Sequence, residues 1–308
     1  MKIAVVGCGA MGSVCAGLLA AGGHEVWALD VWREHVDAIR ADGLRVEGAS
    51  GDRTAKLEAT TDASEVGVCD LVVIATKVRD VAAAAASART LLGPKTVVLS
   101  IQNGLGGPDQ SAKVLGRERV AVGVVGGFGA SMRGPGHVHH EGMELLRLGE
   151  LSGPVTPRLE AIAEVWRSCG FTVRCFDDVE QLVWEKLICN VCYSGPCALT
   201  ELTIGEVLSD ADAFAVASSC AREAWTVARA RGVELEIGDV VEYVRDFGSA
   251  IPDARPSMLL DLLNRRRTEI DAINGAIPPA ARAVGLAAPV NEAVAALVRA
   301  RERRLGCT

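Results

Sequence analysis

The chain contains 308 residues, with 32 Lys and Arg against 39 Asp and Glu and a formal net charge of −7. This length is sufficient for two domains with sizeable cores, and an acidic chain without a basic patch argues against a nucleic-acid partner. No apolar run reaches about 18 residues without charges, so a membrane span is not expected. The sequence opens on a predicted strand, without a charged segment followed by a short apolar one, so a signal peptide is not expected either. These features agree with a soluble, cytoplasmic protein of the size of a two-domain enzyme.

Ten cysteines and five histidines are present, but their spacing does not indicate a metal site. Without secretory features, the cysteines are predicted to be reduced thiols. Cys189 and Cys192 have C-x-x-C spacing but no second pair, and we interpret them as buried apolar side chains. His139, His140 and Glu141 fall in a predicted strand or its turn. No bound metal is therefore expected.

The first predicted elements are a strand at 2–6, a glycine-rich turn and a helix at 13–21. Gly7 permits a tight turn, Gly9 lets a pyrophosphate approach the backbone, and Gly12 lets the helix lie close to the sheet. The phosphates would lie at the positive end of that helix. The pattern predicts a dinucleotide site.

A second strand at 25–29 ends in Asp30, and this residue supports the same interpretation. It lies near the expected position, about 20 residues after the glycines, where a carboxylate accepts hydrogen bonds from the adenosine ribose hydroxyls. The strand, helix and second strand together form the context that such a glycine pattern requires.

The following residues alternate between strands and helices, which predicts a parallel doubly wound sheet. Apolar runs predict strands at 71–75, 97–101 and 120–125, with a helix at 81–92 and a loop at 126–129. Strands that are apolar throughout are typical of a sheet covered on both faces. Segments 137–140 and 145–148 are predicted as antiparallel strands that extend this sheet, followed by a helix through Ser168 and an edge strand at 172–176.

Beyond Asp178 the pattern becomes helical, with predicted helices at 179–199, 205–232, 237–247, 257–274 and 291–304. We therefore predict an α/β fold in which an N-terminal Rossmann-type doubly wound sheet is followed by an all-helical C-terminal domain. The predicted domains are a dinucleotide-binding domain at 1–178 and a helical substrate and catalytic domain at 179–308.

Two polar residues follow the ends of the later strands, where ligands of this fold bind. Lys77 either contacts the phosphates of the cofactor or is a solvated loop lysine, and we favour the cofactor contact. Asn103 offers both a donor and an acceptor to a nicotinamide ribose or a substrate. The alternative is that Asn103 and Gly104 form an ordinary Asn-Gly turn.

In the helical part, Lys186 and Asn190 are spaced to share one face of a helix. Lys186 is interpreted either as a surface residue or as a desolvated proton donor, and the residues alone do not decide between these two. Farther on, Ser257 and Glu269 are predicted to lie on one helix, 257–274, whose charges are also typical of a solvated face.

These motifs resemble those of the ketopantoate reductase (2-dehydropantoate 2-reductase) family over nearly the whole chain. The matching segments are Gly7-x-Gly9-Ala-Met-Gly12, Thr76-Lys77, Gln102-Asn-Gly104, Trp184-x-Lys-Leu-x-x-Asn190, Ser257-Met258 and Thr268-Glu-Ile-Asp-x-Ile-Asn-Gly275. The resemblance implies a Rossmann domain joined to a helical domain, with the active site in the cleft between them. It also implies that Lys186 protonates a ketone oxygen as a nicotinamide hydride reaches the carbonyl carbon.

Residue roles follow from this resemblance. Catalytic roles are predicted for Lys186 and Glu269, with Glu269 also holding the substrate. Substrate contacts are predicted for Asn103, Asn190, Ser194 and Ser257. Cofactor contacts are predicted for Gly7, Gly9, Ala10, Met11, Gly12, Asp30, Lys77 and Asn103.

The sequence departs from the family pattern around the substrate. Ser194 occupies a position where characterised members carry asparagine, and Ile204, before Gly205, replaces a later one. The reaction type is therefore better supported than the identity of the small 2-keto acid.

The cofactor is predicted to be NAD or NADP, with NAD favoured. Members that use NADPH usually carry a basic residue after the second strand, whereas Asp30 would repel a 2′-phosphate. Arg33 lies three residues farther on and is able to approach that phosphate. The segment 29–35 is also similar to NAD-dependent D-mandelate-type dehydrogenases.

Three functions are therefore considered. The first is reduction of ketopantoate to D-pantoate in pantothenate biosynthesis, and the second is an NAD-dependent dehydrogenase for another branched or aromatic D-2-hydroxy acid. The third, a non-catalytic nucleotide-binding sensor, is disfavoured because the site residues are retained together. The sequence leaves the oligomeric state open, including a homodimer.

Overall fold

The computed structural model describes residues 1–127, 129–142 and 145–307, which divide into two compact units. The first unit contains Met1–Gln102 and Gly106–Val179. The second contains Asn103–Leu105 and the chain from Glu180 onward. The short segment 103–105 is thus grouped with the helices rather than with the strands on either side of it in the chain.

The described residues of the first unit contain twelve strands in two sheets. They are β1 (Lys2–Val6), β2 (Glu25–Leu29), β3 (Leu44–Gly48), β4 (Arg53–Ala55), β5 (Glu58–Thr60), β6 (Cys69–Ile74), β7 (Leu92–Ser100), β8 (Val120–Gly126), β9 (Gly129–Gly134), β10 (His137–Gly142), β11 (Leu145–Glu150) and β12 (Val173–Cys175). The larger sheet has the order β12-β11-β8-β7-β6-β1-β2-β5. Its strands from β8 to β5 are parallel, which confirms the predicted doubly wound sheet.

The helices of this unit cover both faces of the large sheet. They are α1 (Ala10–Ala21), α2 (Arg33–Asp42), α3 (Val81–Ser87), α4 (Gly107–Leu115) and α5 (Pro157–Ser168). Alternate residues of β1 point to opposite faces, so Ile3 packs in the core with Leu18 of α1, and Ala4 packs in the core with Val81 of α3. The residues of β1 that face either side of the sheet therefore need to be apolar.

The smaller sheet corrects one prediction. Its order is β4-β3-β10-β9, so the strand at 137–142 pairs with β3 and β9 and does not extend the large sheet. Val138 and Val46 are fully buried, and a Cβ on Gly17 of α1 would lie 2.4 Å from Val46. The smaller sheet therefore packs closely against α1 at Gly17. The predicted antiparallel strand β11 and edge strand β12 are confirmed, while Phe128 of the predicted loop lies outside the described residues.

The second unit is helical, as predicted, but several helix boundaries differ and a short helix at Ile277–Arg282 was not predicted. Its helices are α6 (Val179–Thr200), which starts at the last residue of the first unit, α7 (Ile204–Ser209), α8 (Ala211–Ala230), α9 (Val240–Ala250), α10 (Ser257–Leu263), α11 (Ile277–Arg282) and α12 (Pro289–Leu305). The predicted helix 205–232 is two helices, because the extended residue Asp210 ends α7 and caps α8 by accepting from the Ala213 N–H at 2.8 Å.

The predicted helix 257–274 is also wrong beyond Leu263. Arg265 adopts a left-handed conformation with φ of 53°, which ends a right-handed helix. The Thr268 N–H and hydroxyl both donate to Glu302 Oε1, at 2.7 and 2.6 Å. These buried bonds to α12 stabilise an irregular segment that local helical spacing does not reveal.

Two further predictions concern the state of the cysteines and the presence of a membrane-spanning helix. All ten cysteines are free thiols, and burial raises the pKa of Cys189 to about 12, as expected for an inert side chain in a core. Within the described residues, no helix combines the length and apolar character needed to span a membrane.

A buried ion pair stabilises the first unit. Glu150, at the end of β11, is only 3% exposed and accepts from Arg158 Nη2 at 2.5 Å and from Arg158 Nε at 2.9 Å. The Thr156 hydroxyl donates to the same carboxylate. Burial by itself raises the pKa of Glu150, but the Arg158 and Thr156 donors outweigh it and hold the pKa below its ordinary value.

We expect Arg158→Met to lower the free energy of unfolding by about 2 kcal/mol at pH 7, because it leaves the Glu150 carboxylate buried without its cation. This value allows for the partial exposure of Arg158. The pair stabilises the fold above the ordinary pKa of glutamate and loses its effect as pH falls through the lower folded pKa. Urea unfolding at pH 7 and pH 4 would measure both effects. The double variant Glu150→Gln/Arg158→Met is the control and should recover part of the loss; a single variant as stable as the parent would contradict the role of the pair.

Candidate active site

Three loops of the first unit follow neighbouring strands of the large sheet. β1 lies between β2 and β6, and the chain leaves these three strands at Gly7, Asp30 and Ala75. Lys77 follows two residues after Ala75. Because the strands are parallel, these loops share the carboxyl edge of the sheet, where ligands of doubly wound folds bind.

The glycine-rich turn has different requirements at its three glycines. Gly7 has φ of 92°, and a Cβ there would lie 2.6 Å from Thr76. A Cβ on Gly12 would lie 2.0 Å from the Gly7 carbonyl oxygen. In contrast, a Cβ on Gly9 would meet no described atom within 4 Å. The outer glycines thus allow close backbone packing, and Gly9 leaves the surface open.

The start of α1 fits the pyrophosphate of a dinucleotide. Ala10 and Met11 are the first helical residues, and among the described residues no side chain caps the helix at Gly9. The N–H groups of the first turn have no partners within the helix. Together with the open surface at Gly9, they form the kind of donor cradle that binds phosphate oxygens.

Asp30 is positioned by its own loop. Its Oδ1 accepts from the Trp32 N–H at 2.9 Å, and the side chain is half-buried. Arg33 is the exposed first residue of α2. A carboxylate held at this strand end suits the ribose hydroxyls of NAD, and the exposed guanidinium is the cationic group nearest to it in the chain.

The loop carrying Lys77 is held by a residue that the sequence did not single out. The Gln102 side-chain amide donates to the carbonyls of Ile74 at 2.6 Å and of Thr76 at 3.2 Å. The Ser100 hydroxyl donates to the other end of the same amide. Gln102 precedes Asn103 in the Gln-Asn-Gly motif, so the motif contained the signal, but its role appears only from the contacts between loops.

In the second unit, Lys186 and Asn103 form a hydrogen bond. Lys186 Nζ donates to Asn103 Oδ1 at 2.6 Å, and both side chains are half-buried. The residues that follow Lys186 in α6, Leu187 and Ile188, are buried in the core of this unit. The Lys186 ammonium is therefore oriented by a side-chain amide of the same unit.

The segment that carries Asn103 is fixed by backbone contacts. The Leu105 N–H donates to the Ala272 carbonyl at 2.9 Å. Gly104 has φ of 79°, and a Cβ there would lie 2.1 Å from the same carbonyl oxygen. Only glycine fits this approach. The segment is therefore more than an ordinary Asn-Gly turn, because its contacts with Ala272 hold Asn103 beside Lys186.

Asn190 and Ser194 follow Lys186 by one and two turns of α6. Asn190 is half-buried, and Ser194 is 5% exposed. The helix is held at the intervening turn by Asn274, whose Nδ2 donates to the Val191 carbonyl at 2.9 Å. Asn274 is fully buried and is a second residue whose role could not be inferred from the motif alone.

Ser257 and Glu269 lie on separate segments of the second unit. Ser257 is the exposed first residue of α10, and Glu269 is half-buried in the irregular segment before α11. The Glu269 carbonyl accepts from the N–H groups of Ala272 and Ile273 at 3.0 and 3.1 Å. Glu269 thus belongs to the same local turn that contacts Gly104.

Comparison with known proteins gives consistent matches. The family model described as "Ketopantoate reductase PanE/ApbA" matches residues 3–153, and the model of its C-terminal part matches residues 178–302. The 2-dehydropantoate 2-reductase of Halobacterium salinarum is 33% identical over 305 residues, covering 98% of this chain and 99% of that protein.

Two solved structures are also similar. A PanE/ApbA family ketopantoate reductase from Ralstonia eutropha JMP134 is 36% identical, with a TM-score of 0.91 and coverage of 99% of this chain and 100% of that chain. The ternary structure of D-mandelate dehydrogenase with NADH and anilino(oxo)acetate is 29% identical, with a TM-score of 0.91 and full coverage of both chains, 100% in each case.

These matches confirm the resemblance inferred from the motifs. The two family models together cover most of the sequence, and the relatives align over nearly the whole chain. The chain therefore belongs to the ketopantoate reductase family and is an NAD(P)-dependent oxidoreductase that acts on a CH–OH group.

Proposed function

We propose that the protein reduces 2-dehydropantoate to D-pantoate, the reaction named for its curated relatives. The observation that carries this proposal is the 2.6 Å bond from Lys186 Nζ to Asn103 Oδ1. It orients an ammonium in a partly desolvated setting, which is what reduction of a ketone requires of a proton donor. We assign dinucleotide binding to the domain at 1–178, and substrate binding and catalysis to the domain at 179–308. Asn103 acts together with the residues of the second domain.

When bound, a reduced nicotinamide would supply the hydride needed at the ketone carbon. Lys186 donates a proton from Nζ to the carbonyl oxygen, and its positive charge stabilises the negative charge that develops there. The carbon–oxygen double bond becomes a C–OH group, and the neutral amine regains its proton from solvent. Asn103 keeps Nζ oriented, so that less motion is needed for the transfer.

The remaining assigned residues bind substrate. Asn190, Ser194 and Ser257 supply neutral polar groups for the carboxylate and hydroxyl of the keto acid. Glu269 accepts a hydrogen bond from the substrate hydroxyl and, in its half-buried turn, limits the positions that the substrate adopts beside Lys186.

The second candidate function is an NAD-dependent D-2-hydroxy acid dehydrogenase of the mandelate type. Its support is the similarity to D-mandelate dehydrogenase, whose structure contains NADH and anilino(oxo)acetate. Ser194 and Ile204, which replace two family asparagines, also favour a substrate other than ketopantoate. We rank it second because the curated relatives that align over nearly the whole chain are named 2-dehydropantoate 2-reductase.

A substrate panel would distinguish the two functions. The purified protein is assayed for oxidation of NADH and NADPH with ketopantoate, phenylglyoxylate and several branched 2-keto acids. The highest kcat/KM with ketopantoate is expected. A clear preference for phenylglyoxylate would establish the second function instead, and no turnover with any 2-keto acid would overturn both.

We further propose NADH as the preferred cofactor, and the test is replacement of Asp30. The parent should show a higher kcat/KM with NADH than with NADPH. Asp30→Ala should lower the ratio of kcat/KM with NADH to kcat/KM with NADPH by about tenfold, because it removes both the acceptor for the ribose hydroxyls and the charge that repels a 2′-phosphate. Steady-state kinetics with each cofactor would measure the ratio.

Two controls sharpen this cofactor test. Asp30→Asn removes the charge but keeps an oxygen that accepts from the Trp32 N–H, so it separates electrostatics from loop geometry. Asp37→Asn changes an exposed carboxylate of α2 and should leave the ratio unaltered. A parent enzyme that clearly prefers NADPH would overturn the assignment of NADH.

A further inference from the structure

His35 is a fully buried histidine that the proposed chemistry does not use. It lies in α2, and its Nδ1 accepts from the Gly136 N–H at 2.9 Å. A backbone N–H is always a donor, so the proton of the neutral ring is on Nε2. Nε2 therefore donates to Ser13 Oγ at 3.2 Å, and the Ser13 hydroxyl donates to the Cys8 carbonyl at 2.7 Å.

This chain of bonds ends within the glycine-rich turn. A trans peptide is planar, and its C=O and N–H point in opposite directions. Holding the Cys8 carbonyl toward Ser13 therefore directs the Gly9 N–H away from Ser13. Gly9 is exposed, and a Cβ there would meet no described atom within 4 Å. The Gly9 N–H is thus turned away from Ser13, at a residue that is itself exposed.

The same ring also supports the loop that carries Asp30. Trp32 stacks on His35, with ring centroids 5.1 Å apart and an interplanar angle of 12°. Asp30 accepts from the Trp32 N–H. Burial lowers the pKa of His35, and the nearby Asp30 carboxylate opposes this shift only in part. The neutral ring that the bond to Gly136 requires is therefore the favoured form.

We propose that His35 and Ser13 are positioning residues for the dinucleotide, because they orient the Cys8–Gly9 peptide so that its N–H donates to the pyrophosphate. This inference rests on the proposed dinucleotide function. It adds a link to the smaller sheet, since Gly136 lies in the turn between β9 and β10. The β9–β10 turn, α2 and the phosphate-binding turn are thereby joined through one imidazole.

Two substitutions of His35 separate positioning from packing. Asparagine places its amide near the position of Nδ1 and keeps an acceptor for Gly136, whereas glutamine reaches the position of Nε2 and keeps a donor for Ser13. Ser13→Ala removes the hydroxyl that holds the Cys8 carbonyl. Ser111→Ala, at a serine that is also fully buried and helical in the first unit, is the matched control.

The experiment measures NADH and NADPH affinity by titration, thermal unfolding, and steady-state kinetics for each variant. Ser13→Ala and His35→Asn should each lower the affinity for NADH and for NADPH about tenfold, because about one hydrogen bond is lost. The factor should be the same for both cofactors, because both contain the pyrophosphate. Their kcat at saturating cofactor should stay within about twofold of the parent. His35→Gln and Ser111→Ala should bind like the parent.

The outcomes are distinct. Parent-like affinity in Ser13→Ala would overturn the inference, as would affinity losses that simply follow thermal stability across all variants, including His35→Gln. Should His35→Asn fail to fold, Ser13→Ala decides by itself. A parent protein that binds neither dinucleotide would instead overturn the proposed function. A parent that binds and turns over, with Ser13→Ala and His35→Asn unchanged, would overturn only the positioning role.

Discussion

Lys186→Ala is expected to lower kcat by about 100-fold or more while leaving NADH affinity intact. The variant loses the proton donor and also the charge that stabilises the developing alkoxide. Lys186→Met, which is similar in length but unable to donate a proton, should be about as damaging. Steady-state kinetics with a saturating 2-keto acid, together with NADH titration, would measure both quantities.

The control for this experiment is a lysine outside the site. Lys113 is exposed on α4, so Lys113→Met should retain the parent kcat. Circular dichroism and thermal unfolding would establish that the Lys186 variants fold. If either folded Lys186 variant kept a kcat within about threefold of the parent, well inside the loss expected for a general acid, Lys186 would have to be reassigned as a surface residue.

Gly104→Ala is expected to lower kcat by about 100-fold, because it displaces Asn103 from Lys186 without changing either side chain. Its Cβ would lie 2.1 Å from the Ala272 carbonyl oxygen, and the residue has φ of 79°. Steric overlap with backbone and an unfavourable left-handed conformation should together lower the free energy of unfolding by about 3 kcal/mol. Kinetics and urea unfolding would measure the two effects.

Gly106 provides a matched control two residues away. It has φ of 92°, but the nearest atom to a Cβ would be Gln110 Nε2 at 3.8 Å. Gly106→Ala therefore incurs the conformational cost alone, about 1 kcal/mol, and should keep most of the activity. Equal losses of activity in both variants would show that left-handed backbone strain, and not contact with Ala272, explains the effect at Gly104.

The glycine-rich turn and the large sheet are the parts most readily predicted from sequence. Apolar runs such as 71–75 and 97–101 are typical of strands covered on both faces, and β6 and β7 occupy central positions in the sheet. Gly7 was predicted for a tight turn and Gly12 for close packing of the helix; φ of 92° at Gly7 and the contact of a Cβ on Gly12 with the Gly7 carbonyl oxygen agree with these two reasons. Local pattern sufficed because each feature depends on neighbouring residues.

The predictions that failed depend on partners far away in the chain. The sequence at 137–140 correctly indicated a strand, but pattern alone does not show whether a strand pairs with β8 or with β3. Likewise, the spacing in 257–274 favoured a helix, whereas Thr268 binds Glu302, which lies 34 residues farther on. Gln102 and His35 were overlooked because their bonds join segments that are distant from one another in the chain.

Sequence by itself determined the fold class and the family and suggested candidate site residues, because strand runs, glycine spacing and short motifs are local features that can be read without knowledge of the tertiary contacts. Tertiary structure alone decided that Asn103 orients Lys186, since these residues lie 83 positions apart. It also decided which sheet receives β10 and where α10 ends. Each of these depends on burial and hydrogen bonding between distant segments, which outweigh local propensity once the chain is compact.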